Sequence, residues 1–137
     1  MTVIAPAVAS IGIFREEGII ENARMLGEDV IGPGLDDLGR RHPSVGEVRG
    51  LGVFWALELV RDRASREPLV PFNATGADAG PMNEFAAACK ERGLWPFTHF
   101  NRTHVVPPCT ATPDEVREGL AILDEALSVA DRYYVGE

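Results

Sequence analysis

The hydrophobic period of this chain changes at Pro43, and that change limits the folds open to it more than any other feature. Ahead of it, in "IIENARMLGEDVIGPGLDDLGRRHP", Ile20, Ala23, Leu26, Val30, Leu35 and Leu38 recur at helical spacing. Beyond it, in "VGEVRGLGVFWALELVRD", Val45, Val48, Val53, Trp55, Leu57 and Leu59 alternate or run as strand residues do. Gly46, Gly50 and Gly52 punctuate that stretch, which predicts two strands with a tight connection or bulge near Arg49 to Gly52. A chain that switches from one period to the other within a few residues has to pack helices against a sheet.

The remaining segments extend the pattern. "TVIAPAVASIGIF" is apolar on nearly every side and predicts a helix running to Glu17, closed by Gly18 in the left-handed conformation. Such a helix is either buried all round or made for a larger packing environment. The Gly32-Pro33-Gly34 trio interrupts the second helix, and His42 with Pro43 ends it. Residues Asp62 to Pro81, rich in Pro, Gly, Asn and Asp, read as a loop. "MNEFAAACKERG" reads as a short helix ending at Gly93, and "LWPF" and "THVV" read as short strands. The last helix opens on Thr112, Pro113 and Glu115, the spacing of a capping box, and carries Val116, Leu120, Leu123 and Leu127 as one stripe. The expected fold class is α+β: a small, mostly antiparallel sheet with helices gathered on one face.

Length and charge narrow the function. A chain of 137 residues has the size of one domain and buries about two-thirds of its unfolded surface on folding. With 21 acidic against 13 basic residues the net charge is -8, and no basic run provides the positive stripe that nucleic acid or an anionic membrane requires. The apolar N-terminal run is too short to span a bilayer and lacks a basic leader region. Cys89 and Cys109 read as reduced thiols of a cytoplasmic protein.

Local motifs leave several chemistries unsupported. His99, His104 and Cys109 are the candidate metal ligands, yet they lack the short, rigid spacing of a C-x-x-C or H-E-x-x-H site, so the simpler reading is histidines that are satisfied or exposed. No serine lies in a G-x-S-x-G context. Asp114 and Glu115 are accounted for by the helix cap, and "RGLG" does not match a phosphate-binding G-x-G-x-x-G loop.

Taken together, "EEGIIENARMLGEDVIGPGLDDLGRRHPSVGEVRGLGVFWALELVRD", "ACKERGLWPF" and "HVVPPCTATPDEVREGLAILDEAL" resemble the C-terminal part of class III aminotransferases, the pyridoxal-phosphate enzymes of fold type I. The likeness runs from about Ala7 to the end. It implies that residues 1–137 form the small domain, which packs on a large cofactor-binding domain absent from this chain and helps to close the active site of a homodimer. It also implies an amine or ω-amino acid and a keto acid such as pyruvate as substrates. Where the family has a Gly-His/Asn-Pro-Leu-Ala type start to the first helix, this chain has "MTVIAPAVA", which suggests a truncated or degenerate copy.

Transamination requires a lysine amine to hold the cofactor and move a proton. Lys90 is the sole lysine, sits in a short helix between Cys89 and Glu91, and reads as a solvated charge. No residue here is therefore expected to be catalytic or to hold the cofactor, and pyridoxal 5'-phosphate, the full-length family's cofactor, is not expected to bind the fragment stably. In the ornithine and 4-aminobutyrate branches an arginine three residues before the double proline contacts the substrate carboxylate. His104 stands there in this chain, with Arg102 two residues earlier on the same side of a strand. The resemblance thus implies Arg102 and His104 as substrate-facing residues, and an amine or amino-sulfonate donor as in taurine:pyruvate-like members. The competing reading is a non-catalytic α+β binding or assembly module with the same fold. An independent hydrolase or metal enzyme would instead need His99 or His104 organised by a carboxylate.

Overall fold

The computed structural model describes residues 4–137. Helix α1 (Ile4–Glu16) ends at Gly18, whose φ of 60° is the left-handed conformation expected there. Helix α2 (Ile19–Met25) continues through a wider π-helical turn (Leu26–Ile31) into α3 (Gly32–Arg41). The interruption predicted around Pro33 is this turn. Pro33 has no N–H and sits at the start of α3, while the Gly32 N–H reaches five residues back to the Gly27 carbonyl.

Strands β1 (Val45–Leu51) and β2 (Phe54–Asp62) form a hairpin around Gly52 and Val53, with Leu51 opposite Phe54 and Gly52 at φ 55°. This turn is the tight connection expected near Arg49 to Gly52, and a bulge lies at the other end of the hairpin, between Val45 and Glu47. The glycines there do more than punctuate. A Cβ at Gly27 would collide with the Gly52 carbonyl, and one at Gly50 with the Trp55 ring, so both approaches depend on glycine. Trp55 fills the space, and its indole N–H donates to the Gly52 carbonyl at 2.7 Å.

The predicted loop from Asp62 to Pro81 contains two further elements. Asp62 accepts from the Ala64 N–H at 2.8 Å and the Ser65 hydroxyl at 2.9 Å, which turns the chain back so that β3 (Glu67–Pro68) pairs with β2. A short 3₁₀ turn (Gly76–Ala79) then leads into α4 (Gly80–Glu91). The strand expected over "LWPF" starts only at Phe97. Leu94 is still tied to the C-terminus of α4, its N–H donating to the Cys89 carbonyl at 3.0 Å, and Pro96 has no N–H to offer a ladder. Strand β4 (Phe97–His99) pairs with β5 (Arg102–Val105) in a hairpin, and the sheet order is β1-β2-β5-β4, antiparallel throughout.

Helix α5 (Pro113–Asp131) has the capping box read from its sequence: the Thr112 hydroxyl accepts from the Glu115 N–H, and the Glu115 carboxylate accepts from the Thr112 N–H at 2.8 Å. Its stripe, with Leu123 and Leu127 at its centre, closes on Leu35, Leu57, Leu59 and Phe85 in one core. The α+β class and the antiparallel sheet with helices on one face are as expected. Helix α1 stands apart, with no buried residue, and Ile4, Val8, Ile11, Ile13 and Phe14 are exposed.

Candidate functional site

Strand alternation sorts β5 into two sides. Thr103, opposite Leu57 and Thr98, is buried, whereas Arg102 and His104 share the face that no helix covers. In register with them on that face lie Glu58 and His99 beside Arg102, and Ala56 and Phe97 beside His104. The His104 ring sits between Phe97, at 5.2 Å between centroids, and Phe54, at 5.9 Å.

The two arginines of this face have different surroundings. Arg49 bonds Glu58 and, at 3.1 Å, Glu47, and the Glu58 carboxylate foremost holds its guanidinium above the ordinary range. Arg102 has no carboxylate partner among the described residues. It faces His99 Nδ1 at 3.3 Å and lies over the Phe100 ring at 6.0 Å. A guanidinium with uncommitted donors, an imidazole two residues on and two flanking phenyl rings make a surface suited to an anionic group joined to a small organic body.

Among the described residues that surface holds no acid or base organised by a carboxylate. His104 Nδ1 reaches only the Phe97 carbonyl, at 3.4 Å, and His99 faces Arg102, so neither is oriented by a carboxylate. Among the described residues no group of three or more His, Cys, Asp or Glu side chains is placed to hold a metal ion. Cys89 is buried, and desolvation pushes its thiol up to about 11, which leaves it unreactive. Among the described residues, no helix is long and apolar enough to cross a membrane.

The histidine that carboxylates do organise is His42, which the sequence marks only as a helix end. It is buried, with Nδ1 2.6 Å from Asp131 and Nε2 2.7 Å from Asp124. Asp131 also accepts from the Ser44 N–H and hydroxyl, at 3.1 and 2.7 Å, and Asp124 from Arg41 at 2.6 Å. The Arg41 hydrogen bond, with His42 adding to it, holds the Asp124 carboxyl below the usual carboxylate range. This network fastens the α3–β1 junction to α5. Its only sequence signal is an aspartate pair spaced seven residues apart, two turns along one helix face.

On the helix side of the sheet a groove of about 490 Å³ runs between the β4–β5 hairpin and the start of α5. Trp95 lines it, and the Lys90 ammonium lies over that indole, 4.4 Å from the ring centroid. A Schiff-base lysine has to be enclosed and able to shed its charge. Lys90 is exposed and engaged on an aromatic face, so the residues present do not fit a pyridoxal group.

The class III aminotransferase family model matches residues 2–127. Among curated relatives, the taurine–pyruvate aminotransferase of Bilophila wadsworthia (strain 3_1_6) is 31% identical over 137 residues, covering 95% of this chain and 28% of the relative. The 4-aminobutyrate aminotransferase of Escherichia coli (strain K12) is 28% identical over 127 residues, covering 90% of this chain and 28% of the relative. Among solved structures, taurine:2-oxoglutarate aminotransferase from Bifidobacterium kashiwanohense, in complex with PLP and glutamate, superposes with a TM-score of 0.82 at 26% identity, over 91% of this chain and 27% of that one. An amine transaminase from an uncultivated Pseudomonas species, in its PLP-bound internal aldimine form, gives 0.78 at 32% identity, over 89% and 26%. The chain spans little more than a quarter of the length of the relatives it matches. With the family model matching residues 2–127 and the fold shared with solved transaminases, the chain belongs to the class III aminotransferases.

Proposed function

We propose that this chain is the small-domain part of a pyridoxal-phosphate-dependent class III aminotransferase. In this reading it forms one wall of an active site whose lysine and phosphate-binding groups lie in the length of the relatives that it does not span. The reaction transfers an amino group from an amine, ω-amino acid or amino-sulfonate to a keto acid such as pyruvate. Arg102 takes the donor's anionic group, His104 with Phe54 and Phe97 shapes the space around its carbon chain, and the working unit is a homo-oligomer. The chain by itself does not transaminate. One observation carries the reading: 95% of this chain aligns with only 28% of a taurine–pyruvate aminotransferase. The uncommitted donors of Arg102 support the assignment of the substrate side.

The test is a graft. This chain replaces the matching quarter of the Bilophila wadsworthia enzyme, and alanine formed from taurine and pyruvate is measured. The graft should be active, and Arg102→Ala should raise KM for taurine roughly tenfold, the loss of about 1.4 kcal/mol expected for one charge-assisted contact. A graft in which Arg102→Ala leaves KM unchanged removes the substrate assignment. Turnover by the purified chain alone removes the small-domain reading.

A second reading, a non-catalytic binding or assembly module of the same fold, is favoured by the exposed position of Lys90 on Trp95. It predicts an inactive graft that still folds, as judged by circular dichroism.

A further inference from the structure

The groove between the β4–β5 hairpin and α5 takes Thr103 and Val105 from the side of β5 opposite Arg102 and borders the other side at His104, and three locally unfavourable features converge on it. The first is Thr103, which contributes to its lining at 1% exposure and whose hydroxyl has no hydrogen-bond partner. A valine would pack there equally well without a buried polar atom to satisfy. The second is Gly119, inside α5, where alanine is the better helix former. A Cβ there would meet only Leu94, at an ordinary 3.8 Å, so backbone crowding does not demand the glycine, and its absent side chain leaves the groove open. The third is Trp95, 81% exposed on a rim that Lys90 covers from one side. Local rules broken together at one place are the mark of a site and not of a core.

The lining selects the ligand. Leu94, Val105, Val116, Leu120 and Leu123 give it an apolar body, and Pro107 and Pro108 stiffen one wall, so the shape is preformed. Glu115 brings a negative charge to the lining, and the N–H and hydroxyl of Thr112 keep its carboxyl below the usual range, which disfavours anions. The polar group left to be satisfied is a neutral hydroxyl. We propose that this groove binds a small neutral aromatic molecule bearing one hydroxyl or carbonyl, its ring against Trp95 and the aliphatic wall and its oxygen paired with Thr103. The volume of about 490 Å³ is that of a small-molecule pocket. The lining reaches His104 at its edge and so borders the Arg102 face, but the proposal stands on Thr103, Gly119 and Trp95 and does not rest on the reading of that face.

Benzyl alcohol, toluene and benzoate are titrated into the full chain while amide, methyl and indole NMR signals are followed. Benzyl alcohol should give saturable shifts at the Trp95 indole N–H and the Leu120 and Val116 methyls, binding roughly five- to tenfold more tightly than toluene, as one neutral hydrogen bond provides. Benzoate should bind weakest. Thr103→Val should bring benzyl alcohol down to the affinity of toluene and leave toluene unchanged. Gly119→Leu, which fills the groove and favours the helix, should abolish both while the melting temperature holds or rises. The proposal is overturned if no saturable shift occurs, if Thr103→Val leaves the preference for benzyl alcohol intact, or if the shifts in Gly119→Leu persist. It is overturned equally if Thr103 is found paired with a trapped water that ligand does not displace.

Discussion

Both imidazole nitrogens of His42 face carboxylates, Nδ1 that of Asp131 and Nε2 that of Asp124. The residue therefore works as a clamp between the α3–β1 junction and α5. Replacing it with alanine leaves Asp124 and Asp131 facing each other without a donor between them, and should cost about 1–3 kcal/mol in urea denaturation. A second prediction follows from Asp124, whose folded-state carboxyl is held below its unfolded value by Arg41 and His42. A depressed acid contributes stability above the unfolded value, about pH 4, and loses it as pH falls through the folded one. Melting temperature should accordingly drop more steeply between about pH 5 and pH 3 in the wild type than in Asp124→Asn. Parallel curves would show that Asp124 does not contribute.

At the level of elements, the contact that most restricts the fold is the one between the π-helical turn and the β1–β2 hairpin. Gly27 and Gly52 let the two backbones meet, and Gly50 makes room for Trp55 on the same side. Arg63 secures the neighbouring end, donating to the His42 carbonyl at 2.6 Å, which also accepts from the Val45 N–H, and to the Val45 carbonyl at 3.1 Å, and so helps to close the C-terminus of α3. Gly27→Ala should therefore destabilise by about 1–3 kcal/mol, although alanine is the better helix former, because the added methyl strikes backbone and not a movable side chain. A gain in stability for that variant would mean that the two elements are not packed this closely.

Over the whole molecule, two apolar surfaces lack a cover among the described residues. One is the sheet face with Leu51, Phe54 and Phe97, and the other is α1 with Ile11 and Phe14. Contiguous patches of this kind mark surfaces that meet other protein. The isolated chain should associate with itself in a concentration-dependent way by analytical ultracentrifugation, and Ile11→Glu with Phe14→Glu should shift it toward monomer without altering its circular dichroism. A wild-type chain that stays monomeric at high concentration would show that α1 is not an association surface.

Much of this architecture could be derived from neighbouring residues alone. The capping box at Thr112, the left-handed Gly18, the break at Pro33 and the period change at Pro43 each rest on dihedral preferences or spacings within a few residues. So does the placing of Arg102 and His104 on one side of a strand, since alternation is a property of the strand itself. The partners of His42, the collision that forbids a Cβ at Gly27 and the unpaired hydroxyl of Thr103 could not be derived in that way. Each is a distance between segments far apart in the chain, the His42 contacts alone joining residues 82 and 89 positions apart. Spacing along a sequence carries no such distance until α5 has closed over the sheet.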